Sequence, residues 1–229
     1  MKNSFSGAAG QTLAAAFKAL KVLRPHRPIH PTGVALAGTI EKSRSCVGSG
    51  IMWVDSPGTA AVSARLSRSL GMPAGWPDIL GLALRITTEA GPADVLLAST
   101  AMSWPGRLLL TAHLYASNCK LTSLMPYKGS RGPVLLAARP EVTGTGLPAT
   151  PDAFRHALAT DTWSLGLYHA RPTGPWIRFG TLFLSLDPGA ADLNTRFDPL
   201  QNRLPGAGTY NWAGRLRKPS YEAARQPLP

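Results

Sequence analysis

The chain has 229 residues, long enough for one large domain with a real core, and its 44% hydrophobic share against 16% charged residues excludes a disordered polymer. No run approaches ~18 uninterrupted apolar residues, which argues against a membrane-spanning helix. A formal net charge of +12 suits an anionic partner, whether nucleic acid, an anionic membrane surface or a ligand carrying carboxylates or phosphates.

The positive charge is dispersed rather than clustered, with Arg24, Arg27, Arg65, Arg107, Arg139, Arg178, Arg203, Arg215 and Arg217 spread along the chain. No recognition helix, RNP-like strand or zinc finger accompanies it, so no specific nucleic-acid partner is expected. Cys46 and Cys119 make neither a disulfide framework nor a zinc site, which fits a reducing, cytoplasmic setting.

In chain order, residues 1–26 read as an N-terminal helical extension. Leu13, Phe17 and Leu20 share one face, and Lys18 and Lys21 interrupt the apolar stretch that a secretory signal would need. A proline elbow, "RPHRPIHP", follows. Short apolar runs then alternate with Gly, Pro and Ser: 33–40, 60–67, 79–86, 94–100, 107–114, 132–139, 164–170 and 176–186. Their length favours strands over helices, and their even spacing favours a sandwich or barrel. "PDAFRHALATD" (151–161) has Pro and Asp where a helix should start, and "PSYEAARQ" near the C-terminus has Pro219 for a first turn. No repeat or linker divides the chain, so residues 27–229 form one α+β, mainly β domain.

The usual catalytic strings are missing: no GxSxG elbow, P-loop, GxGxxG after a strand, or HExxH. The histidines show no metal-ligand spacing. Scarce carboxylates argue against a two-carboxylate glycosidase or a carboxylate-rich metal cluster.

Six fragments in one order remain: Arg27-x-x-His30-x-x-Gly33; "ARLSRS" with Arg65; "PDILGLALRI" with Asp78, Gly81, Ala83 and Arg85; "ADVLLAST" with Ser99; "TSLMPYKGSRGPVLLAARP"; and the C-terminal stretch ending in Arg217-Lys-Pro-Ser-Tyr221. This series resembles the haem-catalase superfamily, in particular its small catalase-related members, and covers roughly residues 27 to 225. The resemblance implies an antiparallel β-barrel of about eight strands with a few peripheral helices. It also implies one haem b, with Tyr221 as the ligand to iron and Arg217 lowering its phenol pKa from about 10. His30 would be the distal acid–base, with Arg65 and Ser99 beside it, Ser99 standing near the family's distal asparagine. Arg27, Arg65 and Arg225 would meet the propionates, and Trp104 would cover the macrocycle. Ile29 is aliphatic as in catalases. The implied activity is peroxide or hydroperoxide metabolism, peroxidase-like or weakly catalase-like, on organic or lipid hydroperoxides as well as peroxide itself. Weak binding to an anionic surface and homo-oligomer formation are compatible with it. The alternative is a degenerate barrel without haem that binds lipid or anions; Ser99 in place of asparagine, and Pro219 between Arg217 and Tyr221, motivate it.

Overall fold

The computed structural model describes residues 32–45, 47–141, 146–193 and 195–213. Strand β1 (Gly33–Lys42) pairs with β2 (Gly58–Arg68), β2 with β3 (Asp78–Thr88), and β3 with β4 (Gly91–Ser99), all antiparallel. β4 continues through the short β6 (Leu121–Thr122) to β8 (Gly132–Pro140), then β9 (Trp163–Ala170) and β10 (Ile177–Leu186), which returns to β1. The ring therefore closes as an eight-stranded antiparallel barrel. Three further short strands lie off the ring: β5 (Ala112–His113), β7 (Tyr127–Gly129) and β11 (Gly208–Thr209). Closure leaves no long unpaired edge, which suits a chain so rich in strand-forming runs.

Period-two alternation fills the barrel. Val34, Leu36 and Ile40 of β1 face Val62, Ala64 and Leu66 of β2, then Leu82, Leu84 and Ile86 of β3 and Val95 and Leu97 of β4, all buried. Trp163 and Phe154 meet edge to face, with ring centroids 5.5 Å apart. Phe154 comes from helix α2 (Pro151–Ala157), which follows the one-turn helix α1 (Met52–Asp55). At Gly38 of β1 a Cβ would lie 1.8 Å from the Phe183 carbonyl oxygen, so only glycine lets β10 approach there.

Seven of the eight runs expected as strands are strands. The exception is 107–114. Only Ala112 and His113 are extended there, preceded by a 3-10 turn over Gly106–Leu108. The helix expected over 151–161 is shorter, ending at Ala157. The expected N-terminal helix and the helix beginning near Pro219 lie outside the described residues.

Candidate functional site

The outward face of the barrel carries the described part of the expected haem wall. Arg65 and Ser67 alternate with the core residues Ala64 and Leu66 and so project outward from β2. Register carries one outward row through Gly33, Ser67, Gly81, Ala98 and Thr122, on β1, β2, β3, β4 and β6. A second row runs through Ala35, Arg65, Ala83 and Leu96. Apart from Arg65 and Leu96 this patch holds nothing larger than threonine, so most of the sheet here is nearly flat. The Ser67 hydroxyl is turned into the sheet, donating to the Gly81 carbonyl at 3.3 Å.

Arg65 is the charged group on this wall. Its guanidinium lies over β1, so that a Cβ on Gly33 would sit 2.7 Å from Arg65 Cζ. Nε donates to Asp192 Oδ1 at 2.6 Å and Nη2 to Asp192 Oδ2 at 2.9 Å, a two-pronged pair with the arginine almost fully buried and the aspartate 34% exposed. A propionate reaching Arg65 would meet a guanidinium whose Nε and Nη2 edge is already taken by that carboxylate.

Ser99 does not share this wall. It follows the parity of Val95 and Leu97 and points to the opposite face of β4 from Ala98. Its hydroxyl accepts the Leu80 N–H at 2.9 Å and donates its single proton to the Thr111 carbonyl at 2.6 Å. The hydroxyl thus ties β3 and β4 to the loop that follows β4, and the residue that faces outward beside it is the apolar Ala98. Trp104 stands 53% exposed in that loop, outside the wall. Of the site residues expected from the sequence, Arg65, Ser99 and Trp104 are described, and the structure does not bring them together. His30, Arg27, Arg217, Tyr221 and Arg225 lie outside the described residues.

As a test of whether haem fits, Gly33, Gly81, Ala83 and Ala98 put no bulk on the wall, but Leu96 projects beside Ala83, and Gly33, Ala35, Ser67, Gly81 and Thr122 are already buried. In donors it is poorer: Arg65 is held by Asp192, and Ser99 has no proton to offer. No cluster of three or more histidine, cysteine or acidic side chains that could hold a metal occurs among the described residues.

Other residues of the resembling fragments are structural. Asp78 accepts the Leu70 and Met72 N–H groups at 3.0 Å each and fixes the β2–β3 loop. Asp94 is fully buried on the outer face of β4. It accepts two bonds from Arg85 (2.8 Å each), one from Asn202 Nδ2 (2.7 Å) and one from the Asp198 N–H (2.7 Å). Burial pushes its carboxyl up, but these four donors win and hold it below the ordinary carboxylate range. This carboxylate, together with the Arg85 guanidinium on the Arg196 carbonyl (2.8 Å) and the Asp94 N–H on the Asn202 carbonyl (2.9 Å), clamps the segment 196–202 to the barrel.

Sequence reasoning also passed over His169, a buried residue of β9 whose Nε2 has no hydrogen-bond partner. Burial lowers its pKa more than nearby Asp55 raises it, so the imidazole is held neutral. Asp55 itself accepts from the Ser49 hydroxyl and from the Ser49 and Gly50 N–H groups, and these bonds outweigh burial in lowering its pKa. Nothing in the sequence around His169 distinguishes it from a surface histidine on an alternating strand.

No protein-family model matches the chain, and no curated protein matches it in sequence. Solved structures do match. A fungal catalase aligns over 94% of this chain and 62% of its own, at 14% identity and a TM-score of 0.66. Catalase A from Saccharomyces cerevisiae aligns over 89% and 61%, at 15% identity and 0.64. A bacterial catalase aligns over 93% and 62%, at 14% identity and 0.58. The chain spans about three fifths of the length of these proteins. At such identities the likeness concerns backbone architecture, and it agrees with the closed eight-stranded ring described above. The chain has a catalase-like fold.

Proposed function

We propose that the chain binds one haem b against the outward face of β1–β4 and metabolises peroxide or hydroperoxide substrates, in a peroxidase-like manner rather than as a fast catalase. The observation that carries this reading is the small-residue wall of Gly33, Ser67, Gly81, Ala83 and Ala98 with Arg65 beside it, set on a catalase-like barrel. Tyr221 would ligate iron as tyrosinate, with Arg217 stabilising the phenolate against its ordinary pKa of about 10. A tyrosinate-ligated ferric haem, when bound, supplies the electrons for O–O cleavage. Arg27 and Arg65 would hold the propionates, Arg65 by exchanging Asp192 for a second carboxylate, with Arg225 a further partner. His30 would take the proton from the inner peroxide oxygen and return it to the outer one. With Ser99 turned inward and Ala98 in the outward position, His30 moves that proton without an amide donor beside it, which is why slow turnover belongs to the reading.

The test is the Soret band of the purified protein. A band present in wild type and absent in Tyr221→Phe supports the reading, and protein that stays colourless after added haemin sinks it. Loss of peroxide reactivity in His30→Ala with haem still bound supports the role of His30, and unchanged reactivity removes it.

A second reading, a barrel that has lost haem and binds lipid or anions, is favoured by the Arg65–Asp192 pair, which satisfies the arginine without a propionate. Haemin titration separates the two.

A further inference from the structure

The apolar run 107–114 is an exposed loop, and its exposure is built into the fold. Arg107 is buried beneath it. Its Nη1 donates to the carbonyls of Arg171 (3.1 Å) and Gly174 (3.0 Å), and its guanidinium lies over the Trp176 ring, 4.8 Å from the centroid. Trp176 in turn donates Nε1–H to the Met102 carbonyl at 2.8 Å. Backbone bonds from Arg107 to Ser103, Leu108 to Pro105 and Leu109 to Gly106 tighten the turn, and Thr100 bridges to Leu110. Pinned from below, the loop holds Trp104, Leu108, Leu109 and Leu110 in solvent, with Leu109 63% exposed. Pairing of Asp78 with His113 and of Ile79 with Ala112 brings the β2–β3 loop to the same end of the barrel, adding the exposed Leu70 and Trp76. Monomeric proteins rarely leave such a collection of large apolar side chains together without a partner.

The stretch of chain that carries this loop is basic, with Lys120 and Arg139 its cations on the cleft beside the loop, while Arg107 is buried and Lys128 and Arg131 belong to the β7–β8 hairpin. Between Asp94 and Glu141 the chain has no carboxylate, while Arg107, Lys120, Lys128, Arg131 and Arg139 are all positive. Directly after the turn at Tyr115 lies a cleft of about 530 Å³ lined by Lys120, Arg139, Arg178 and Glu141 together with Ser117 and Tyr168. Glu141 pairs with Arg178, and Arg139 donates to the Tyr168 hydroxyl, which leaves the Lys120 ammonium and the rest of the Arg139 guanidinium to an anion. Lys120 has no ion-pair partner among the described residues. It also lies near enough to His113 to add to burial in lowering that histidine's pKa. A second copy of the chain is a poor match for this surface, because two carboxylate-free basic segments would repel. An anionic bilayer matches it in each respect: apolar and tryptophan side chains suit the boundary between headgroups and acyl chains, and lysine and arginine suit the headgroups.

We propose that this end of the barrel docks on an anionic lipid bilayer, with Trp104, Leu108 and Leu109 entering its surface and the cleft of Lys120 and Arg139 taking headgroup phosphates. The docking does not depend on whether haem is held. Flotation of the full chain with phosphatidylcholine vesicles, with and without phosphatidylglycerol, tests it. The expected result is binding to the anionic vesicles that weakens about tenfold in Leu109→Ser and about fivefold in Lys120→Glu, and falls with added salt. Leu109 is mostly exposed, so Leu109→Ser should keep the wild-type melting temperature. Absence of vesicle binding, equal binding to neutral vesicles, or undiminished binding by Leu109→Ser overturns the proposal. So does a dimer in light scattering that Leu109→Ser abolishes.

Discussion

Replacing Asp192 by asparagine isolates the Arg65 ion pair on the outward wall. Asp192 accepts two charge-assisted bonds from Arg65, at 2.6 and 2.9 Å. Bonds to charged groups are worth about 1.5–3 kcal/mol each where water is excluded. Asp192 is a third exposed, so solvent screening reduces the pair to about 1–2 kcal/mol in total. Asparagine keeps an oxygen for the Leu193 N–H, which Asp192 Oδ1 accepts at 2.8 Å, but loses the charge and one of the two acceptors. The apo protein should therefore unfold a few degrees lower, about 2–8 °C for a chain of this size. If Arg65 is a propionate partner, haem no longer competes with a carboxylate for its Nε and Nη2 edge. Haemin affinity, read from the Soret band on titration, should then rise about five- to thirtyfold, and haemin should restore more of the lost thermal stability than it adds to wild type. A lower melting temperature with haemin affinity unchanged or reduced would refute this. Arg65 and Asp192 would then be a scaffold pair, and Arg65 would leave the proposed haem site.

Ser99→Ala should cost about 2 kcal/mol in denaturant unfolding, because the buried Leu80 N–H loses its acceptor, and should leave haemin affinity unchanged. A change in peroxide reactivity without a change in stability would restore Ser99 as a distal donor. Asp94→Asn should cost about 2–4 kcal/mol, since Arg85, Asn202 and the Asp198 N–H all depend on that carboxylate and Arg85 is partly exposed. A loss under about 1 kcal/mol would mean that the 196–202 segment finds other partners. Acid should destabilise the fold in two steps. His169 and His113 have pKa values lowered from the ordinary 6.5, so the unfolded chain binds more protons and stability falls as pH drops through that value. Asp94 and Asp55 are held below the ordinary 3.8, so their contribution is present above it and is lost as pH falls through their folded values. Unfolding curves that do not move between pH 7 and 5 would contradict the first step. Burial pushes the Cys119 thiol up to about 12, so in a Cys46→Ser variant a thiol reagent should label the chain only after denaturation.

The seven long strands were legible because alternation is a short-range signal, each carrying its own inward and outward residues. That pattern fits a sandwich as well as a barrel, and the closed barrel was what the catalase resemblance implied. The short pairings were not legible. β6, β7 and β11 have two or three residues each and exist because longer neighbours offer a ladder to complete. At the site, the resembling fragments located real features whose work is partly different. In "PDILGLALRI" and "ADVLLAST" the charged residues Asp78, Arg85 and Asp94 hold loops to the barrel rather than a ligand. Ser99 was misjudged by one position, since a strand turns neighbouring side chains to opposite faces and the outward place belongs to Ala98. The run "RLLLTAHL" misled for a different reason. Its leucines are as apolar as those of any core strand, but Arg107 is the buried member and the leucines are not, an inversion that composition cannot reveal.

That inversion bears on the charge of the whole chain. Acidic residues are half as numerous as basic ones, 12 against 24, and the buried or partly buried ones are committed to the scaffold. Asp55 ties Ser49 and Gly50, Asp78 ties the β2–β3 loop, Asp94 ties 196–202, and Asp192 ties Arg65. Asp78, Asp94 and Asp192 also neutralise Arg68, Arg85 and Arg65 inside the fold, where an unmatched ion would be costly. What remains for the surface is therefore predominantly positive, and in the carboxylate-free span between Asp94 and Glu141 it is positive beside exposed leucine and tryptophan. If that charge served solubility alone, either sign would do and the apolar loop would be a liability. Basic charge placed next to a loop that a buried arginine holds outward is better explained by a surface that is both anionic and apolar, so the salt dependence of vesicle binding and the effect of Leu109→Ser should appear together or not at all.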